Sequence, residues 1–169
     1  MYFDNFPVIY YKGKDVTNLL RRVGVRTKAK TNMVMFETYD VKEGETPEMI
    51  ADKLYGDSNL HWVVLMVNNI VDRYHEWPMA GNQFLEYLNE KYSNPNATHH
   101  YEIAQSSGDT SVKIDIGTDN TDYPTATEIT NYEHEVNEQD KKRKIRLLEP
   151  SFIDNFVSEF KDLLDESII

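Results

Sequence analysis

Asp40–Ile70 reads DVKEGETPEMIADKLYGDSNLHWVVLMVNNI, and its punctuation sets the local fold. Lys42-Glu43-Gly44-Glu45 has the composition of a turn. Thr46 supplies a hydroxyl to cap a helix. Pro47 suits the first helical position, where its missing N–H costs nothing. Ile50, Ala51, Leu54 and Tyr55 form one apolar face, and Gly56 suits the left-handed residue that ends such a helix. Asp57 or Ser58 caps the next helix. From Leu60 to Val67 that helix is apolar almost all round, with His61 the exception. A helix of this kind needs cover on two sides. One cover is its own small domain; the other comes from elsewhere in the chain or from a partner. Asn68-Asn69 ends it in turn-forming residues.

Upstream, Tyr10-Tyr11-Lys12-Gly13-Lys14-Asp15-Val16 reads as two short strands around a glycine turn. Val16–Val23 fits strand or short helix equally. Val34, Phe36 and Thr38 alternate with Met35, Glu37 and Tyr39, which predicts a half-buried strand reaching Val41. Downstream, Glu76-Trp77-Pro78 breaks the chain. Phe84, Leu85, Leu88 and Tyr92 predict a third helix with Gly81 and Asn82 near its start. Residues 104–127 are rich in Ser, Thr, Asp and Gly, with Val112, Ile114 and Ile116 alternating as a short strand. Asn131–Val136 and Lys144–Leu148 bracket a charged turn and are read as a β-hairpin, with a helix as the competing reading. Pro150 and Ser151 open a final helix, with Ser151 and Asp154 as a reduced capping box. Ile153, Phe156, Val157, Phe160, Leu163 and Leu164 make an unbroken apolar stripe on it, which docks on its own domain or on another subunit.

The expected class is α+β. Four segments are expected: an extended basic arm over 1–36, a core with an additional helix over 37–92, a polar region with short strands over 93–127, and a hairpin plus C-terminal helix over 128–169. The chain has 169 residues, a globular hydrophobic content and no cysteine, so no disulfide framework or thiolate metal site is available. No apolar run approaches the roughly 18 residues of a membrane helix. The start lacks the layout of a secretory signal.

The formal charge of −11 disfavours nucleic-acid binding, which needs clustered cations. It is unevenly spread. Residues 1–36 hold seven basic residues against Asp4 and Asp15, a net of +5, which leaves −16 for the rest. A basic arm on an acidic body suits contact with an acidic neighbour; it also suits a solvated basic face.

Nucleophile elbows, phosphate loops and zinc-protease motifs are missing from the sequence, so no enzymatic activity and no cofactor is expected. His99 and His100 are adjacent, so in a strand they point to opposite faces and are not expected to chelate together. His61 and His75 lack ligand spacing. Asp115, Asp119 and Asp122 do not follow the calcium-loop pattern. No metal site is expected.

Tyr39-x-Val41, Gly44-x-Thr46, Ile50-Ala51, Tyr55-Gly56 and Asn68-Asn69-Ile70 resemble a LysM module. That resemblance implies a βααβ unit and a groove for N-acetylglucosamine polymers between Gly44, Glu45, Thr46 and Pro47 on one side and Asn68, Asn69 and Ile70 on the other. Gly44 and Thr46 are equally explained as turn and cap. The usual second strand is absent after Ile70, where the chain runs into Asp72-Arg73-Tyr74-His75-Glu76-Trp77-Pro78.

Most of the chain resembles the small baseplate wedge proteins, of the gene-product-fifty-three type, of T4-like contractile-tail phages. The carrying residues are Leu54-Tyr55-Gly56-Asp57, His61-Trp62-Val63-Val64-Leu65-Met66, Asn68-Asn69, the Asp72–Pro78 block, Phe6-Pro7 and Val16-Thr17. The closing charged segment and amphipathic helix fit the same layout. The resemblance implies a LysM-like core used as scaffold, in a structural protein of the virion tail baseplate assembled in the host cytoplasm. Its partners would be other wedge proteins in a six-fold assembly, with no nucleic acid, membrane or glycan among them. Arg21, Arg22, Arg26, Lys28 and Lys30 are the expected residues of one interface, and Phe156, Phe160 and Leu164 of another. Trp62 and Trp77 are expected in the core. A LysM-type peptidoglycan- or chitin-binding module is the alternative.

Overall fold

The computed structural model describes residues 2–21, 23–25, 34–106, 108 and 111–166. It is a mixed α+β chain of two compact units: residues 1–77 with 143–169, and residues 78–142.

In the first unit, strands β1 (Val8–Tyr11) and β2 (Lys14–Thr17) form an antiparallel hairpin. Lys12 (φ 50°) and Gly13 (φ 82°) make its two-residue turn. Positive φ at both central residues is the hairpin geometry whose twist matches that of the strands.

Strand β3 (Phe36–Asp40) leads into helix α1 (Pro47–Tyr55). The expected punctuation is present: the Met49 N–H donates to Thr46 Oγ1 at 3.3 Å, and Gly56 has φ 72°. Asp57 then caps a short 3₁₀ turn, accepting from the Asn59 N–H at 2.8 Å, and helix α2 (His61–Val67) follows. A single turn, α3 (Arg73–Glu76), closes this stretch. The missing second strand comes from far along the chain. Strand β7 (Lys144–Leu148) pairs antiparallel with β3, with Phe36 opposite Leu148 and Asp40 opposite Lys144. Helix α6 (Ile153–Glu166) follows it.

Both sides of α2 are covered from within this unit. Trp62, Val63 and Val67 join Phe6, Phe36, Leu148, Phe160 and Leu164 in one buried cluster. Val64 joins Val41, Ile50, Ala51, Trp77, Ile145 and Leu147 in another. The rings of Tyr2 and Trp62 meet Phe160 of α6 at tilted angles: the Trp62–Phe160 centroids are 4.6 Å apart, and Tyr2–Phe160 are 5.8 Å apart. The Tyr55 hydroxyl donates to the Leu148 carbonyl at 3.0 Å, and burial pushes its pKa up to about 12. The N-terminal arm is thus not extended throughout, because Phe6 is buried in this core.

In the second unit, helix α4 (Gly81–Lys91) precedes a three-stranded sheet. Its order is β5 (Lys113–Asp115), β4 (Thr98–Ala104), β6 (Thr127–Thr130), all antiparallel. Helix α5 (Asn131–Arg143) follows. The expected hairpin over 131–148 is therefore corrected: its first arm is helical, and its second is β7, paired with β3. The physical reason lies in Thr130-Asn131-Tyr132-Glu133, a complete capping box. The Glu133 N–H donates to Thr130 Oγ1 at 3.2 Å, and the Thr130 N–H donates to Glu133 Oε2 at 2.9 Å. Glu, Gln, Lys and Arg then dominate the segment, and all are good helix formers. The final helix also starts differently. A 3₁₀ turn, Pro150–Phe152, leads into it, and Glu149, not Ser151, caps that turn, accepting from the Ser151 N–H at 2.9 Å.

The core of this unit is small and partly polar. Among its described residues, Met79, Phe84 and Leu88 are the buried apolar ones, beside buried His100, Glu135 and Gln139. Glu135 accepts from Lys91 Nζ and from the Tyr92 hydroxyl, each at 2.7 Å. Burial alone would raise the Glu135 carboxyl pKa; the two hydrogen bonds outweigh it and hold the group below the ordinary carboxylate value. The hydrogen bond to Glu135, and then that to Tyr87, pushes Lys91 upward.

A carboxyl with a depressed folded pKa stabilises the fold above its unfolded pKa and loses that contribution as pH falls through the folded value. Thermal unfolding of the native chain and Glu135→Gln, followed from about pH 7 to about pH 3, is expected to show a stability gap that closes below roughly pH 4. A gap independent of pH would mean that the carboxylate charge contributes nothing.

Candidate interaction surface

Strand β1 of the hairpin is apolar without alternation. Val8-Ile9-Tyr10-Tyr11 places large side chains on both faces of a two-stranded sheet, and all four are exposed among the described residues. Val8 is 64% exposed, Tyr10 76% and Tyr11 57%. Just beyond β2, Leu19 is 57% and Leu20 93% exposed. Two-stranded hairpins are marginal alone, and a contiguous exposed apolar patch marks an interaction surface. Among the described residues neither outer edge of this sheet pairs with another strand, which leaves it a template for adding one. Sequence reasoning placed the hairpin but not this role. The available signal was the run of four consecutive apolar residues, which leaves a strand no polar face.

The basic segment adjoins the hairpin. Lys12 lies 5.2 Å from the Tyr11 ring centroid. Arg21 Nη1 donates to the carbonyl of Leu164, and reaches that of Asp165 at 3.4 Å. Its guanidinium therefore holds the C-terminal end of α6, where orphan carbonyls and the helix dipole favour a cation. Arg22, Arg26, Lys28 and Lys30 lie outside the described residues.

The second expected interface is corrected. Phe160 is 2% exposed and Leu164 is 0%, and Phe156 packs against the same cluster, 6.2 Å from Trp62 between centroids. Of the stripe, Leu163 is 42% exposed, while Phe160 and Leu164 are core within their own unit. A long side chain buried this deeply has no surface left for another subunit. Trp62 and Trp77 are both buried, as expected.

The residues of the glycan-groove alternative are engaged within the chain. Thr46 caps α1 and Pro47 is buried. The Glu45 carboxylate accepts from the Tyr39 hydroxyl at 2.8 Å and the Lys42 N–H at 3.0 Å, and its carbonyl accepts from Trp77 Nε1–H at 2.9 Å. Gly44 has φ 74°, the turn role read from sequence, and Asn69 has φ 57°. The Ile70 N–H donates to the Leu65 carbonyl at 2.9 Å. Asn68 is the most committed. Its Nδ2 donates to the carbonyls of Val64 and Arg146, each at 2.8 Å, and its Oδ1 accepts from the Arg146 N–H at 2.8 Å. The side-chain amide thus imitates a neighbouring strand on the open edge of β7. Asn68→Ala is expected to cost about 1–3 kcal/mol, since it leaves a peptide donor and acceptor without their partners. Urea unfolding of the variant checks this; a change within about 0.5 kcal/mol would mean that water replaces the amide.

No helix among the described residues is long and apolar enough to cross a membrane. The protein family described as base plate wedge protein 53 matches residues 3–107, and the chain belongs to that family. It is a structural protein of the phage tail baseplate and resides in the virion. Over 191 aligned positions it is 25% identical to "Baseplate wedge protein gp53" of Enterobacteria phage T4, an alignment covering 99% of this chain and 97% of that one.

Proposed function

We propose that this chain joins neighbouring wedge subunits within a six-fold baseplate, docking through its β1–β2 hairpin and the basic residues that follow, and that it does so without catalysis. The observation that carries this reading is the uncovered apolar hairpin, with Tyr10 76% and Leu20 93% exposed. A contiguous exposed apolar patch of this kind marks a protein interaction site. Arg22, Arg26, Lys28 and Lys30 supply the cationic half of the contact, and the partner surface is apolar at its centre and acidic around it. The LysM-like core serves as scaffold. Support for that role comes from Asn68, whose amide holds the Val64 and Arg146 backbone, and from Glu45, whose carboxylate takes the Tyr39 hydroxyl and the Lys42 N–H.

The test has two arms. The purified chain is mixed with the other wedge proteins of its phage, and co-elution in a stoichiometric particle is expected. The labelled chain is also titrated with an N-acetylglucosamine oligomer by NMR, and no saturable shifts are expected at Gly44–Thr46 or Asn68–Ile70. Shifts there together with failure to co-elute would replace this reading with a glycan-binding module.

A further inference from the structure

Strand β4 carries an irregularity at its start. Thr98 lies opposite Thr130 and His100 opposite Ile129, so two steps along β4 match one along β6. His99 is the extra residue of a β-bulge. A bulge breaks the alternation of side chains and re-aims one of them. Regular strand geometry would part His99 from His100; here their Nδ1 atoms are 2.8 Å apart. The first turn of α5, held by the Thr130–Glu133 capping box, adds a third imidazole. His134 stacks on His99, with centroids 3.8 Å apart and planes 8° from parallel, and stands nearly perpendicular to His100 at 5.7 Å. One ring nitrogen from each of the three lies within 4.8 Å of the others.

We propose that His99, His100 and His134 form a binding site for a divalent transition-metal ion of the zinc type. Three imidazoles are the donor set that such ions prefer. Nitrogens bound to one tetrahedral zinc stand roughly 3.3–3.5 Å apart, given Zn–N bonds of about 2.0–2.1 Å. His99 and His100 Nδ1 stand 2.8 Å apart and all three ligand nitrogens lie within 4.8 Å of one another, so an ion is held once His134 and His99 unstack and turn their nitrogens toward a common point. A second feature points the same way. His100 Nε2 lies 3.2 Å from Glu102 Oε1, which leaves Nδ1 on the other side, 2.8 Å from His99 Nδ1. A carboxylate on the far nitrogen is the usual device that orients a metal-binding histidine and raises its basicity. Glu102 is thus a positioning residue. The site also meets a need of this unit. It spans 65 residues, Pro78–Lys142, around a few buried apolar side chains. A unit that small gains from a staple, and this one would tie the bulged strand to the helix that follows the sheet. Three histidines leave a fourth position for water.

The full chain, stripped with a chelator, is titrated with Zn²⁺ by calorimetry, and by NMR that reads the ¹⁵N resonances of all five histidine rings. One ion per chain is expected, with shifts at His99, His100 and His134, none at His61 or His75, and a higher unfolding temperature. His134→Gln is expected to abolish binding. Glu102→Gln is expected to weaken it about 10–100-fold. His75→Gln should bind as the native chain does. Should His134→Gln fail to fold, His99→Gln replaces it, and the native ring shifts stand without either. An absence of stoichiometric binding, shifts confined to other histidines, or full affinity in both glutamine variants of the triad would overturn the site.

Discussion

Phe160→Ala is expected to destabilise the chain by about 3–5 kcal/mol, the usual cost of emptying a buried aromatic site. The side chain is 2% exposed and lies between Tyr2 and Trp62, so its removal leaves a cavity lined by the α2, α6 and N-terminal elements at once. Total stabilities run to about 5–15 kcal/mol, so the loss is a large share of the whole. Leu163→Ala is the control on the same helix. Leu163 is 42% exposed, and its change should stay within about 0.5 kcal/mol. Urea unfolding of both variants decides between the two roles once open for this stripe. If Phe160→Ala unfolds with the native midpoint yet fails to enter baseplates, the helix face is an interface after all.

Tyr10→Asp is expected to behave in the opposite way. The residue is 76% exposed and its strand pairs only with β2 among the described residues, so the folded chain should keep its unfolding midpoint. Docking should suffer instead. An aromatic anchor at an interface contributes about 2 kcal/mol or more, and a charge buried in its place adds a desolvation cost. Two kcal/mol is roughly a 30-fold loss of affinity, so incorporation should fall to background at limiting concentration. Leu20→Asp tests the far side of the same patch. Normal incorporation of both variants would remove the hairpin from the interface and leave the basic segment as the remaining candidate.

The two variants separate what was legible in the chain from what was not. The segment Thr46–Gly56 was readable because each signal acts locally: a hydroxyl reaches three residues ahead, and a glycine takes a left-handed φ. The same logic was available at Thr130-Asn131-Tyr132-Glu133, whose capping box starts α5. Asn131–Val136 instead reads as the first arm of a hairpin around a charged turn, with a helix as the competing reading. Sequence identified Asn68 as a turn residue, yet its hold on Arg146 depends on a partner 78 positions away.

By itself the sequence determined the α+β class, the helices at 47–55, 61–67, 81–91 and 153–166, and the first hairpin, because capping, periodicity and turn preference are properties of neighbouring residues. Tertiary structure decided the rest. It paired β3 with a strand more than 100 positions later, closed the second side of α2 with α6 and Phe6, and turned an expected interface into core. It also set the bulge that brings His99 beside His100. Each of these depends on contacts between distant segments. Their register is chosen by the packing of the assembled core, and no window of local residues encodes it.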